Sequence, residues 1–254
     1  MKKKSDLDIE RERYSKRAEK NKKNSKNSQV IKRKNNLIDA PYIEIYYKSL
    51  IRNSKKGFKV LEICCGEGES SGAILENYQD ITFADISKNS LDVIKKNCSS
   101  FLTKSISFKE CNMEFLPFDN ETFDIVACAG GLSYGKNKLV LNEIHRVLKP
   151  NGIFIGIDSL NENPIYKLNR YIHYLRGNRT KSTLKRMPDR KLLEDYKRKF
   201  GITKVNYSGT LIWMLYPLSK IIGYKKSKIL SDFFDKNLPK WMSFKFIIEA
   251  KKIS

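Results

Sequence analysis

Between residues 58 and 158 the chain alternates short apolar runs with amphipathic ones at the spacing of strand–helix–strand units, and no other feature restricts the fold as tightly. The pattern predicts strands over 58–64, 81–84, 106–109, 123–129 and 152–158, with helices over 70–78, 91–97 and 138–148. The turn Pro150-Asn151-Gly152 is expected to stop the last of these helices before the fifth strand. Strands this apolar on both faces need cover on both sides, which predicts an α/β fold with a parallel, doubly wound sheet. Ligands of such sheets bind at the carboxyl ends of the strands, so the loops after the strands are where chemistry is expected.

The flanking segments read differently. Residues 1–36 carry 14 Lys or Arg against 5 Asp or Glu, a net +9. They have few large apolar side chains, so a basic, partly disordered arm is expected, mobile at least over 21–28, with a helix over 5–20. A second helix is expected from Asp39 onward, with Ile43, Tyr46, Tyr47 and Leu50 on its inner face. The main domain is then 37–254. Beyond Asp158 a basic aromatic stretch is followed by a helix over 189–200 and strands near 203–207 and 243–251. Residues 159–200 and 209–241 are expected to be insertions that cover or build a pocket, because connections this long are usually functional.

The first strand runs into VLEICCGEGES, residues 60–70. Two glycines after a strand are a weak signal, but the order of later features strengthens it. Asp85 ends the next strand 19 residues after Gly66, placed to accept from ribose hydroxyls. CNMEFLPF follows the third strand, FDIVACAGGLSYG spans the fourth, and HRVLKPNGIFIGID supplies helix, turn and fifth strand.

With these five motifs in order, the chain resembles the class I S-adenosylmethionine-dependent methyltransferases, in their small-molecule, type 11-like branch, over about residues 58–158. The resemblance implies a Rossmann-like sheet of seven strands with helices on both faces, a C-terminal lid-like insertion and S-adenosylmethionine as cofactor. A nicotinamide-binding Rossmann enzyme is the competing reading, but its third glycine position holds Ser71.

The resemblance also implies residue roles. Glu62 and the backbone from Cys64 through Cys65, Gly66 and Gly68 face the amino-acid end of the cofactor. Asp85 takes the ribose, with Ile86 against the adenine; Asn112, Met113 and Glu114 contact the adenine ring. Ala129 and Gly130, with the residues up to Leu132, stand where cofactor meets acceptor. Three positions depart from the family pattern. Cys64 replaces a glycine and is expected to adopt an ordinary L-residue conformation, so that a positive φ, or a side chain filling the methionine pocket, would count against the reading. Asn112 replaces an aspartate but keeps an acceptor oxygen. Asn151 replaces a glycine in a turn where Asn tolerates left-handed geometry. Competing structural roles are a solvated strand-end charge for Glu62, a helix cap for Asp85 and core packing for Met113.

Methyl transfer is an in-line displacement that mainly requires alignment in a dry pocket. A hydroxyl acceptor also needs a base, for which His173, Tyr134 and Asp158 are candidates; a carbon or amine acceptor needs less. The first acceptor class is a small molecule or a lipid- or sugar-linked precursor. Trp213, Leu215 and neighbouring apolar residues beside Lys220, Lys225, Lys226 and Lys228 suit a pocket lid or an element in an anionic membrane interface. The second class is RNA. The whole chain has 50 Lys or Arg against 28 Asp or Glu, a formal +22, and residues 161–200 carry a net +8 with Tyr166, Tyr171 and Tyr174 available to stack bases. No NPPY-type tetrapeptide follows the fourth strand, where CAGG stands. A third class is a non-catalytic scaffold. Five scattered cysteines without CxxC spacing argue for buried thiols and no metal. A charged N-terminus without an apolar stretch predicts a cytoplasmic protein, peripheral to the membrane if it meets one.

Overall fold

A computed structural model of the chain describes residues 5–24, 40–101, 103–177 and 179–253. Two helices come first, α1 (Asp6–Asn24) and α2 (Ala40–Arg52). Helix α1 extends past the segment expected to be helical and takes in residues 21–24 of the part expected to be mobile; residues 25–28 lie outside the described residues. The alternating region then delivers β1 (Lys59–Ile63), α3 (Gly72–Asn77), β2 (Asp80–Asp85), α4 (Lys88–Asn97), β3 (Ser105–Glu110), β4 (Phe123–Ala129), α5 (Asn137–Val147) and β5 (Leu148–Ser159). The remainder forms α6 (Pro164–Leu175), α7 (Lys181–Lys185), α8 (Arg190–Phe200), β6 (Gly201–Ser208), α9 (Ile212–Ile222), α10 (Tyr224–Asn237) and β7 (Lys245–Lys252).

The seven strands form one sheet in the order β3-β2-β1-β4-β5-β7-β6. The first five pair in parallel, and β7 runs antiparallel to both β5 and β6. This is the mostly parallel, doubly wound sheet that the apolar strands demanded. Successive residues point to opposite faces: Leu61, Val126 and Phe154 join a core with α5 and α8, while Val60, Ile125 and Ile155 join another with α2, α3 and α4. Leaving β1, the chain fills β2 and β3 on one side and later β4 and β5 on the other. That reversal opens a crevice at the carboxyl ends of β1 and β4.

One boundary differs from expectation. The Pro150-Asn151-Gly152 turn lies within β5, because Leu148 already pairs with Phe123 before the register resumes at Ile125 and Ile153. The extra residues are taken up as a bulge, with Asn151 at φ 63, the left-handed geometry expected of it.

Both C-terminal insertions are helical. Tyr166 of α6 packs with Ile212 and Leu215 of α9 in a small separate core that includes Phe234 of α10 and Phe244 at its edge. Tyr166 is therefore buried and does not offer a ring to an RNA base, and Leu215, expected in a pocket lid or a membrane-interface element, is 1% exposed and packs inside. Helices α9 and α10 meet at Gly223, whose φ of 82 suits glycine. The Asp235 carboxylate accepts from the Ser208 hydroxyl and from the Gly209 and Thr210 N–H groups, fixing α10 to the end of β6.

Candidate active site

A cavity of about 230 Å³ opens in the crevice, lined from the carboxyl ends of β1, β2 and β4, the loop after β3, and α1. That volume suits an extended small molecule rather than a single water. Of the residues singled out from the sequence, Glu62, Cys64, Cys65, Gly66, Asp85, Ile86, Asn112, Met113, Ala129, Gly130 and Tyr134 line it.

Glu62 is 1% exposed, so it is not a solvated strand-end charge; its Oε2 accepts from the Ser71 hydroxyl at 2.5 Å. Asp85 holds the loop together. Its Oδ2 accepts from the Gly66 N–H and its Oδ1 from the Ser87 N–H, each at 2.9 Å. Burial raises its pKa, while the backbone donors from Ser87, Gly66 and Ile86 oppose the rise. These three donors leave one of the carboxylate's four lone-pair sites for a ligand hydroxyl. The cap of α4 is Ser87, which accepts from the Ser90 N–H.

Cys64 corrects the sequence reading. Its φ is 53, not an ordinary L-residue value. The loop keeps the left-handed turn a glycine would take there, and the cysteine bears the strain, about 1–2 kcal/mol for an L-residue. Its thiol turns toward the Met113 sulfur at 3.3 Å, and its Cβ lies so near Gly131 that a Cβ on that glycine would sit 2.5 Å away. Positive φ at this position therefore marks the turn geometry itself rather than its loss.

Five named residues do not line the cavity: Gly68, Glu114, Leu132, Asp158 and His173. Gly68, at φ 86, is needed for packing, since a Cβ there would lie 2.8 Å from Ile94 of α4. Glu114 accepts from the Lys136 N–H at 2.7 Å and so anchors the entry to α5 rather than meeting a ring. His173 lies on α6 and is not among the lining residues. The Asn112 oxygen accepts from the Glu114 N–H, so it already has one partner besides any ligand amine. Asp158 is 4% exposed and receives the Leu132 N–H, which orients the chain after β4.

The sequence reading missed the roof. Leu7, Glu10, Tyr14 and Arg17 of α1 line the cavity, at i, i+3, i+7 and i+10, one face of a helix. Only two of the four are apolar, so this stripe reads as solvated in sequence. Tyr14 donates to the Tyr134 hydroxyl at 2.5 Å, and the Arg13 guanidinium lies 5.8 Å from the Tyr134 ring centre. Burial, with the adjacent Tyr134, pushes the Tyr14 phenol well up, so it acts as a donor at neutral pH. Arg17 pairs with Glu69 at 2.6 Å, and Ser15 meets Ser87 at 3.2 Å. Glu10 is 5% exposed and accepts from the Thr183 hydroxyl of α7 at 3.0 Å. Arg186 donates to the Tyr134 carbonyl, so residues 159–200 brace both the roof and the Tyr134 wall.

The site suits a nucleoside that also carries an amino-acid chain. It offers a buried carboxylate at the end of β2, an open glycine turn after β1 with no atom within 4 Å of a Cβ built on Gly66, and a donor–acceptor set after β3.

Comparison with known proteins agrees. Residues 60–152 match a family model described as a methyltransferase domain. The chain is 31% identical over 171 residues to the demethylmenaquinone methyltransferase of Lactococcus lactis, covering 59% of this chain and 68% of that one. It is 32% identical over 147 residues to the demethylmenaquinone methyltransferase of Staphylococcus epidermidis, covering 55% of this chain and 60% of that one. Similar solved folds include the YcgJ protein of Bacillus subtilis, with a TM-score of 0.56 at 17% identity, covering 83% of this chain and 99% of that one. Geranyl diphosphate C-methyltransferase of Streptomyces coelicolor, solved with S-adenosyl-L-homocysteine, has a TM-score of 0.58 at 14% identity, covering 85% and 79%.

Proposed function

The chain belongs to the class I S-adenosylmethionine-dependent methyltransferases, and from that premise we propose that its acceptor is a small molecule with a lipid-like tail. The observation that carries this reading is the 31% identity over 171 residues to a demethylmenaquinone methyltransferase. The RNA reading has less support, because Tyr166 and Arg170 of the basic aromatic segment are buried.

When bound, S-adenosylmethionine supplies a methyl group on a cationic sulfur that departs as a neutral thioether. Asp85 would hold the ribose, the turn from Cys64 to Gly66 the amino-acid end, and Asn112 and Met113 the base. Helix α1 lies over this region and would limit water there, so that the acceptor would meet the methyl group in a drier pocket. Tyr134 stands on the wall with its oxygen already accepting from Tyr14; its own O–H remains to donate to an acceptor oxygen. Residues 159–200 would guide the acceptor past Tyr134, through α7 and Arg186. A tail of this kind brings the acceptor from a bilayer, and peripheral membrane contact belongs with this reading.

The test is a mass-spectrometric assay with S-adenosylmethionine and a short-tailed demethylated naphthoquinol. A product heavier by one methylene, lost on Asp85→Ala, supports the proposal. Cofactor binding without any product from this and other isoprenoid-tailed acceptors would refute the acceptor class.

A further inference from the structure

The C-terminal helices turn large apolar side chains outward. On α6, Ile165, Leu168, Ile172 and Leu175 recur at i, i+3, i+7 and i+10 and are exposed, while Arg170 is buried and donates to the Leu160 carbonyl. On α9, Trp213, Pro217 and Ile221 form a second outward stripe at i, i+4 and i+8, opposite the buried Ile212 and Leu215. Helix α10 is inverted outright. Its buried positions are Ser227 and Ser231, whereas Ile229 is 69% and Phe233 58% exposed. A water-facing helix has the opposite arrangement, and burial among the described residues does not account for the pattern.

The three helices share the core around Tyr166, Ile212 and Leu215. They belong to the catalytic end of the sheet: α9 follows the end of β6, and β6 ends beside the start of β7, which pairs with the end of β5. The charge around the stripes has one sign. Lys220, Lys225, Lys226 and Lys236 are exposed on α9 and α10, α6 contains no acid, and the two acids of α10 are engaged, Asp232 with Lys228 and Asp235 with the end of β6. No helix among the described residues is long and apolar enough to cross a membrane.

We propose that α6, α9 and α10 form a docking surface for an anionic membrane interface, with Ile221, Ile229, Phe233 and Trp213 entering the acyl boundary and the lysines meeting acidic headgroups. This rests on the lipid-like acceptor proposed above and assigns the surface through which the bilayer is met. Apolar insertion and basic attraction are both needed, as neither alone holds a protein firmly at an interface. The same lysines would repel a second copy of the chain.

Two variants of the full chain separate the contributions: Ile221→Ser/Ile229→Ser/Phe233→Ser and Lys225→Glu/Lys226→Glu. Vesicle co-sedimentation uses equal parts phosphatidylcholine and phosphatidylglycerol, against phosphatidylcholine alone. The wild type is expected to bind the anionic vesicles, with each variant weakening binding by about tenfold or more, and to bind the neutral ones weakly. Blue-shifted tryptophan emission on the anionic vesicles adds support. No binding to anionic vesicles, or undiminished binding by both variants, overturns the surface. A concentration-dependent dimer in sedimentation velocity, abolished by the apolar variant, also overturns it in favour of a contact between copies. Calorimetry with S-adenosylhomocysteine on the same samples separates the readings. Intact cofactor binding without vesicle binding removes only this surface, whereas absent cofactor binding removes the enzyme reading beneath it.

Discussion

The Tyr14 hydroxyl donates to the Tyr134 hydroxyl at 2.5 Å, joining residues 120 apart in sequence and tying the first helix to the wall of the cavity. The rings also meet edge to face, with centroids 5.5 Å apart. Tyr14→Phe keeps that contact and removes only the hydrogen bond, about 1 kcal/mol. S-adenosylhomocysteine affinity is expected to fall about fivefold, mostly through faster release in stopped-flow displacement, with the secondary structure unchanged.

Asp85→Asn leaves the shape of the site but exchanges one acceptor for an amide, so one of the Gly66 and Ser87 N–H groups loses its partner. Calorimetry is expected to record a loss of cofactor affinity of about tenfold to a hundredfold, the range for a charge-assisted bond. The pH dependence has a definite sign. Burial raises the pKa of Asp85 above 3.8, so the folded state holds this proton more tightly than the unfolded state does. Between those two values its contribution to stability falls as pH rises. Ligand hydroxyls need the ionised form, so wild-type cofactor affinity should drop as pH falls into that window, while Asp85→Asn shows no such step.

At Cys64 the strained turn gives two opposite expectations. Cys64→Gly removes the left-handed penalty and a small buried contact together, leaving the melting temperature and cofactor affinity close to wild type. Cys64→Val puts a β-branched residue at φ 53 and is expected to cost about 2 kcal/mol or more in urea unfolding.

The Glu143–Arg146 pair clamps the segment after β3. Arg146 donates to the Leu116 and Phe118 carbonyls, and Glu143 accepts from the Leu116 N–H. The Arg146 hydrogen bonds lower the pKa of Glu143 below 4.5. Its contribution is therefore complete above that ordinary value and disappears as pH falls through the depressed one. Glu143→Gln should make the acid limb of a melting-temperature profile shallower below about pH 4.5, relative to wild type.

The sheet was legible because Phe58 to Asp158 states its strands in continuous apolar runs, and the floor of the cavity because Gly66, Asp85 and Asn112 sit at strand ends that such runs fix. The roof was not. Leu7, Glu10, Tyr14 and Arg17 share a face, but their partners Thr183, Glu69 and Tyr134 lie far along the chain, and a half-charged stripe resembles a solvated one. Cys64 misled because residue identity was taken to set φ, whereas the Asp85 bond to Gly66 and the packing at Gly131 over-determine the turn. The inward placement of Leu215 was not legible because α9 is apolar on both sides, and only its contacts tell the inner side from the outer.

Isothermal titration calorimetry of the full chain with S-adenosylhomocysteine tests the central claim most directly. Saturable binding of one cofactor per chain, weakened by Asp85→Ala and by Tyr14→Phe, is the predicted result. A folded wild-type protein that takes up no S-adenosylhomocysteine, or takes it up equally well without the Asp85 carboxylate, would contradict the account.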